Sequence, residues 1–381
     1  MTAPIRLAIV RQKYNPHGGA ERFVARALDA LAARGALDVT LLARQWQQGD
    51  SSWHSETVNP RYSGRLGRDR GFARAVQKRL KNFDLVQSHE RIPGAAIFRA
   101  GDGVHAVWLE QLSRVQGLSA RLIRFFSPYH SYVCQAETEM FRHPALQTVI
   151  CNSKLVRDEI ADRFAVPDHK LELIYNGVDT DAFHPDLVRH RVAMRDEWQV
   201  PQDAPLLAYV GSGFARKGVA TALEAIVPHP GVHLVIAGAD KHAKRYRKLA
   251  ETLGVAARVR FLGGVADVKP VYGAADALIL PTLYDPFPNV CVEAFAAGLP
   301  VFTSPMCGAA EWISEGVNGW TNDALDVEGY RSAVGIWLAR RDEWPALRMA
   351  ARKTAEPHTL ARMAGELEAL YARLLARTDQ T

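Results

Sequence analysis

The sequence predicts an α/β protein built from two doubly wound parallel-sheet domains facing one another across a cleft. Three observations carry this. Short apolar runs alternate with amphipathic helical patterns along the chain, as parallel strands with crossover helices require. At 381 residues the chain is long enough for two hydrophobic cores. Glycine-rich turns follow the first strand of each half, at Gly18-Gly19 and at Gly211 to Gly218.

In the first half, IRLAIV, DVTLLA, DLVQSH and AIFRAG read as strands, with TVICNS as the last. ERFVARALDALAARG reads as an amphipathic helix closed by Gly35. LELIYNGVDTDAF, residues 171–183, lies between the halves and contains Asp179-Thr180-Asp181. Such a triplet binds metal in an unrelated sugar-transfer fold, but here the surrounding repeats are parallel α/β units, so it is set aside. In the second half LLAYVGS, HLVIAGA, VRFLGG, ALILPT and PVFTSP read as strands. Leu360, Met363, Leu367, Leu370 and Leu374 mark a long C-terminal helix.

Composition narrows the function classes. Apolar residues make up 48% of the chain, which suits a globular protein. Cys134, Cys151, Cys291 and Cys307 form no CxxC pair and no zinc-ligand spacing, so free thiols and a cytoplasmic location are expected. MTAPIRLAIV runs straight into a strand, with no charged-then-apolar leader, and no apolar run is long enough to span a bilayer. The formal net charge is +6, and residues 61–81 hold eight Lys or Arg against Asp69 alone. Such a local patch suggests an anionic surface or acceptor rather than nucleic acid. The other reading is a solvated helix face. LSRVQGLSARLIRFFSPYHSYV, residues 112–133, mixes arginine with Leu118, Leu122, Phe125, Phe126 and Tyr129 on one helical face until Pro128 interrupts. With the basic run it could rest on an anionic membrane; alternatively it packs on its own domain.

The most informative segment is DALILPTLYDPFPNVCVEAFAAGLPVFTS, residues 276–304. It reads as strand, loop, helix and strand, with Asn289 as N-cap, Gly298 as the C-terminal stop, and Glu293 one turn inside the helix. A helix starting just past a buried strand aims free N–H groups and a positive dipole at whatever binds there, which suits a diphosphate. The carboxylates Asp285 and Glu293 would repel an anion, so they are expected to accept hydrogen bonds from hydroxyls. A ligand with both phosphates and hydroxyls is a nucleotide sugar.

This segment resembles the acid-x7-Glu signature of the family 4 retaining glycosyltransferases, which have the two-domain GT-B fold. The resemblance implies that Asp285 contacts the donor sugar and Glu293 the ribose. The usual first acid is Glu, longer by one carbon–carbon bond, about 1.5 Å. GSGFARKG satisfies neither the dinucleotide fingerprint nor the P-loop, since Arg216 and Lys217 stand where other residues are required and Gly218 follows the lysine. It resembles the family's diphosphate loop, with Ser212 where most members carry arginine. The adjacent Arg-Lys is similar to the lipopolysaccharide core heptose glucosyltransferases. Two fixed cations can stabilise a leaving nucleoside diphosphate without metal. The alternative is a solvated pair at a helix start, where cations would oppose the macrodipole.

Further roles come from the resemblance. Gly18 and Gly19 would cover the donor phosphates, and Gly263 would meet the nucleobase through its backbone. Phe287, Pro288, Asn289 and Val290 would line the donor at the helix start. Asp102 would orient the acceptor hydroxyl or the reacting sugar, with His89 and His105 as further candidates. Domain one spans 1–170 and is completed by the returning helix 360–378; the donor domain spans 171–359. The expected reaction is sugar transfer with retention, with no metal or other cofactor. The expected partners are a nucleotide-sugar donor, a glycan or lipid-linked glycan acceptor, and the inner face of an anionic membrane. Two rival readings are a nucleotide-sugar epimerase, which needs no acceptor, and a non-catalytic nucleotide-sugar-binding protein.

Overall fold

The structure, a computed structural model, describes residues 5–13, 37–45, 54–117 and 126–378. Gly18, Gly19, the expected helix 21–35, Leu118, Leu122 and Phe125 lie outside the described residues. The chain divides into two compact units, Met1–Asn176 with Leu360–Thr381, and Gly177–Thr359.

In the first unit β1 (Ile5–Lys13), β2 (Leu37–Gln45), β3 (His54–Thr57), β4 (Leu85–Ser88), β5 (Ile97–Arg99), β6 (Thr148–Cys151) and β7 (Leu171–Leu173) form a sheet. Its order is β3-β2-β1-β4-β5-β6-β7, and every pairing is parallel. β4, β5 and β6 are buried throughout, because helices cover both faces of a parallel sheet. The pleat of β1 divides its side chains between two cores. Leu7 and Ile9 join Leu41, Leu85 and Ile97 under Met363, Leu367, Leu370 and Leu374 of the C-terminal helix Leu360–Thr378. Ala8 and Val10 pack on the opposite face with Phe72 and Val76 of the helix Gly64–Gln77.

Two sequence expectations change here. TVICNS is not the last strand, because β7 pairs with β6 beyond it. That pairing keeps residues 171–173 in the first unit, so the division falls at Asn176 and Gly177 rather than after 170. β3 is an exposed polar edge strand with no apolar alternation to reveal it. Pro128 opens the helix Pro128–Arg142, because the missing N–H of proline costs nothing at a first helical position.

In the second unit β8 (Leu206–Val210), β9 (His233–Ala237), β10 (Val259–Gly263), β11 (Ala277–Leu280), β12 (Val301–Thr303) and β13 (Gly319–Thr321) form a parallel sheet ordered β10-β9-β8-β11-β12-β13. The three residues of β13 were too few to show in the sequence. At the amino end of this sheet Asp276 is 5% exposed and accepts from Arg195 and Arg191, each at 2.8 Å, and from the Leu206 amide at 2.9 Å. This ties the starts of β8 and β11 together, leaving their carboxyl ends for binding.

Both sheets reverse their direction of growth beside the first strand, between β1 and β4 and between β8 and β11. In open α/β sheets ligands bind at the carboxyl ends of strands at such points. No described helix is long and apolar enough to cross a membrane.

Candidate functional site

The second-unit switch point gathers Arg216, Lys217 and Asp285. After β8 the chain turns through Gly211, whose φ is 148°, and then Gly213, whose φ is 78°. The short helix Phe214–Lys217 follows, with Arg216 and Lys217 in its last turn. The cations thus end this single turn and directly precede the helix Val219–Ala225, whose N-cap is Gly218. Gly218 has a φ of 78°, and a Cβ there would lie 1.9 Å from the Pro281 carbonyl oxygen. Only glycine permits this approach between the β8 loop and the chain leaving β11. The Leu283 amide donates to the Arg216 carbonyl at 2.8 Å and locks the two loops together.

That contact brings Asp285 to the cations. Its Oδ2 lies 3.1 Å from Lys217 Nζ and 3.1 Å from Arg216 Nη1. Arg216 Nη1 also donates to the Tyr284 carbonyl at 2.8 Å. The Asp285 backbone is fixed on both sides, its amide donating to Met306 O at 3.0 Å and its carbonyl accepting from the Gly308 amide at 2.9 Å. Burial alone would push the Asp285 carboxyl up; the adjacent Lys217 and Arg216 charges outweigh it and hold the group below the usual aspartate range. Asp285 is 7% exposed. The cluster holds two positive charges and one negative, so it keeps a net affinity for an anion.

The helix Asn289–Ala296 starts one residue earlier than the sequence suggested. Pro288 is the N-cap, with extended backbone, and no side chain caps the helix; Asn289 is the first helical residue. Gly298 ends it as expected, with a φ of 74°. Glu293 Oε2 accepts from the buried Tyr272 hydroxyl at 2.9 Å. Phe287 is buried against Trp312, ring centroids 4.8 Å apart, and Trp312 stacks on His358 at 3.9 Å. Val290 and Asn289 are partly buried at the helix start. Ser212 Oγ accepts from the Ala239 amide at 3.2 Å, and the Gly263 carbonyl accepts from the Gly238 amide at 2.7 Å. Tyr272, Trp312 and His358 were missed because nothing in their local sequence marks them; they reach the site through tertiary packing.

Asp102 lies in the first unit, exposed in the turn after β5. His89 is buried and bonded to Gln87 at 3.0 Å; burial, then Arg11 and Arg99, push its pKa well down. His105 Nε2 lies 3.0 Å from His130 Nδ1, and burial with neighbouring Arg91 lowers it to about 3. Both imidazoles are therefore held neutral near pH 7. Asp179 Oδ1 accepts from the Ala182 amide at 2.9 Å, the geometry of a turn cap. Among the described residues no cluster of three or more His, Cys, Asp or Glu could hold a metal ion.

The match to known proteins runs along nearly the whole chain. A Glycosyltransferase Family 4 model matches residues 17–182, and a Glycosyl transferases group 1 model matches residues 191–355. The chain is 28% identical to the lipopolysaccharide glucosyltransferase WaaG of Escherichia coli over 319 residues, covering 81% of this chain and 83% of that protein. It is 35% identical over 140 residues to the lipopolysaccharide core biosynthesis glycosyltransferase LpsE of Rhizobium meliloti, covering 37% of this chain and 41% of that one. The crystal structure of WaaG, a glycosyltransferase involved in lipopolysaccharide biosynthesis, superposes with a TM-score of 0.81 at 25% identity, over 95% of this chain and 98% of that chain. With two parallel α/β units, a family 4 match in the first half and a group 1 match in the second, this chain belongs to the GT-B glycosyltransferases of the family 4 type.

Proposed function

We propose that the chain transfers a sugar, with retention, from a UDP-sugar to a glycan acceptor in the synthesis of lipopolysaccharide core or a related cell-surface glycan. The observation that carries this is the Arg216–Lys217–Asp285 cluster at the switch point between β8 and β11. Lys217 and Arg216, with the amides opening the helix Asn289–Ala296, would bind the diphosphate and stabilise it as it departs. An arriving diphosphate competes with Asp285 for the two cations. The displaced carboxylate is then free to accept from a donor-sugar hydroxyl. Glu293 would hold the ribose, and Asp102 the reacting region on the acceptor side. On this reading the acceptor attacks from the face the diphosphate leaves, and no metal takes part.

The donor assignment is supported by relatives. WaaG is named as a glucosyltransferase, and Anabaena Alr3699/HepE, solved with UDP-glucose, shares the fold at 18% identity and a TM-score of 0.75. A thermal-shift panel of UDP-, GDP- and ADP-sugars tests it. A ligand at 100 times its dissociation constant adds about 2.7 kcal/mol of stability. A shift with GDP- or ADP-sugars and none with UDP-glucose would overturn the choice of base.

The site of action proposed is the inner face of the cytoplasmic membrane. Arg61, Arg70, Arg74, Lys78 and Lys81 are exposed, whereas Arg68 pairs with Asp69 and Arg79 with Glu56. Arg74, Lys78 and Arg79 line a cavity of about 470 Å³ with Val58, Asn59 and Pro60. Phe126 is 74% exposed and Tyr62 51%. Cations and aromatics together suit an anionic lipid surface.

A further inference from the structure

The switch point of the first sheet, between β1 and β4, is spanned by charged groups that no sequence motif announces. Glu90, just past β4, accepts from the Gln12 amide of β1 at 2.8 Å. Its neighbour Arg91 turns inward. Arg91 Nε donates to Glu137 Oε1 at 2.7 Å, and Arg91 Nη2 donates to the Gly103 carbonyl at 3.0 Å. Glu137, on the helix Pro128–Arg142, is 1% exposed, and the same Oε1 accepts from the His105 amide at 2.8 Å.

The two bonds grip the chain on both sides of Val104. Gly103 has a φ of 66°, and its amide donates back to Ala100 at 3.3 Å, closing the turn that carries Asp102. The helix His105–Arg114 has no side-chain cap of its own, since its N-cap is Val104. Glu137 supplies the missing acceptor from a neighbouring helix, with a negative charge at the positive end of the dipole. Glu137 Oε2 is buried with no hydrogen-bond partner. Burying a charged carboxylate this way is costly, so the arrangement is poor as a device for stability alone.

We propose that the buried Arg91–Glu137 pair is a positioning device for Asp102, setting the turn 100–105 so that this carboxylate meets the reacting groups on the acceptor side. The inference rests on the acceptor-side role of Asp102 given above. Arg91 is the hinge of the arrangement because its fork reaches two acceptors at once; a lysine keeps the charge opposite Glu137 but has one arm only.

The test uses the full chain with UDP-glucose and a deacylated, heptose-terminated core oligosaccharide. Arg91→Lys keeps the buried ion pair, so it should fold. It should lower kcat/KM for the oligosaccharide by up to about 10²-fold, the cost of displacing a reacting group by about 1 Å. The dissociation constant for UDP, which reports the second unit, should stay within twofold. In an Asp102→Asn background the same change should cost less than twofold, because the group being positioned is already lost. A folded Arg91→Lys protein with parental kcat/KM overturns the proposal. So do losses from Arg91→Lys and Asp102→Asn that simply multiply. An Asp102→Asn protein as active as the parent overturns the role of Asp102 itself, and the pair's purpose with it. Glu137→Gln, which keeps an oxygen facing His105 N–H, should be milder than Glu137→Ala; equal losses also count against the proposal.

Discussion

Lys217 Nζ lies 3.1 Å from Asp285 Oδ2, and the methylenes of Lys217 cross Gly211 so closely that a Cβ there would stand 2.8 Å from Lys217 Cδ. The ammonium is thus held between the first loop of the second sheet and the carboxylate that follows β11. An anion entering this place exchanges one negative partner for another and needs little rearrangement, which is the condition for preorganised electrostatic catalysis.

Removing that ammonium should therefore affect turnover more than folding. Lys217→Ala is expected to cut kcat by about 10²–10³-fold, the range for losing one preorganised donor. Activity should survive chelator. Steady-state rates with and without EDTA check this; near-normal activity of the variant, or dependence on added Mg²⁺ or Mn²⁺, counts against the metal-free assignment.

Glu293 accepts from the Tyr272 hydroxyl, and the proposed ribose contact uses the same carboxylate. Glu293→Gln preserves shape and removes charge. A charge-assisted hydrogen bond contributes about 1.5–3 kcal/mol, so UDP affinity measured by calorimetry should fall at least tenfold while the unfolding midpoint holds. Unchanged affinity would falsify the role.

Gly218 and Gly213 share a φ of 78°, yet only Gly218 meets backbone within 4 Å. Gly213→Ala should cost about 1–2 kcal/mol from left-handed strain alone. Gly218→Ala must in addition push the loop off Pro281, so its thermal midpoint should fall further and UDP binding should weaken with it. Equal midpoints for the two variants would show that the loop yields freely.

Burial, with the Asp102 charge, pushes the Glu90 carboxyl up to about 7, against the opposing pull of the Gln12 amide. Its unfolded value is about 4.3. The folded protein therefore binds this proton more tightly, and the group lowers stability as pH rises from about 4 through 7. Glu90→Gln, which keeps the oxygen facing Gln12, should melt higher than the parent at pH 8 and lose that advantage towards pH 5. A difference that does not vary with pH would remove the titration from the account.

The exposed cations Arg70, Arg74 and Lys78 should hold the protein on anionic vesicles at low salt. Each cation near an anionic leaflet contributes about 1 kcal/mol, and at 1 M salt the Debye length shrinks to about 3 Å. Sedimentation should show binding to anionic vesicles, little to neutral ones, and release at high salt. Neutralising the three residues together should weaken binding without abolishing transfer to a soluble acceptor fragment. Equal binding to both vesicle types, or none, leaves the run as a solvated face.

The sequence by itself determined the fold class, because alternating strand and helix periods follow from local side-chain order, and parallel strands buried on both faces must be continuously apolar. It also singled out Asp285, Glu293, Arg216 and Lys217 as candidates, since their motifs are short and local. Tertiary structure decided how these residues use one another. Asp285 meets both cations only because Gly218 lets the loop after β8 approach Pro281, and that contact joins segments distant in the chain. The same holds for the Arg91–Glu137 pair, which lies 46 positions apart and is brought together by the packing of the helix Pro128–Arg142 beside the turn after β5. Residues such as these carry no periodic or motif signal. Their function is set by burial and by the loss of water around their charges, which exist only once the chain has folded.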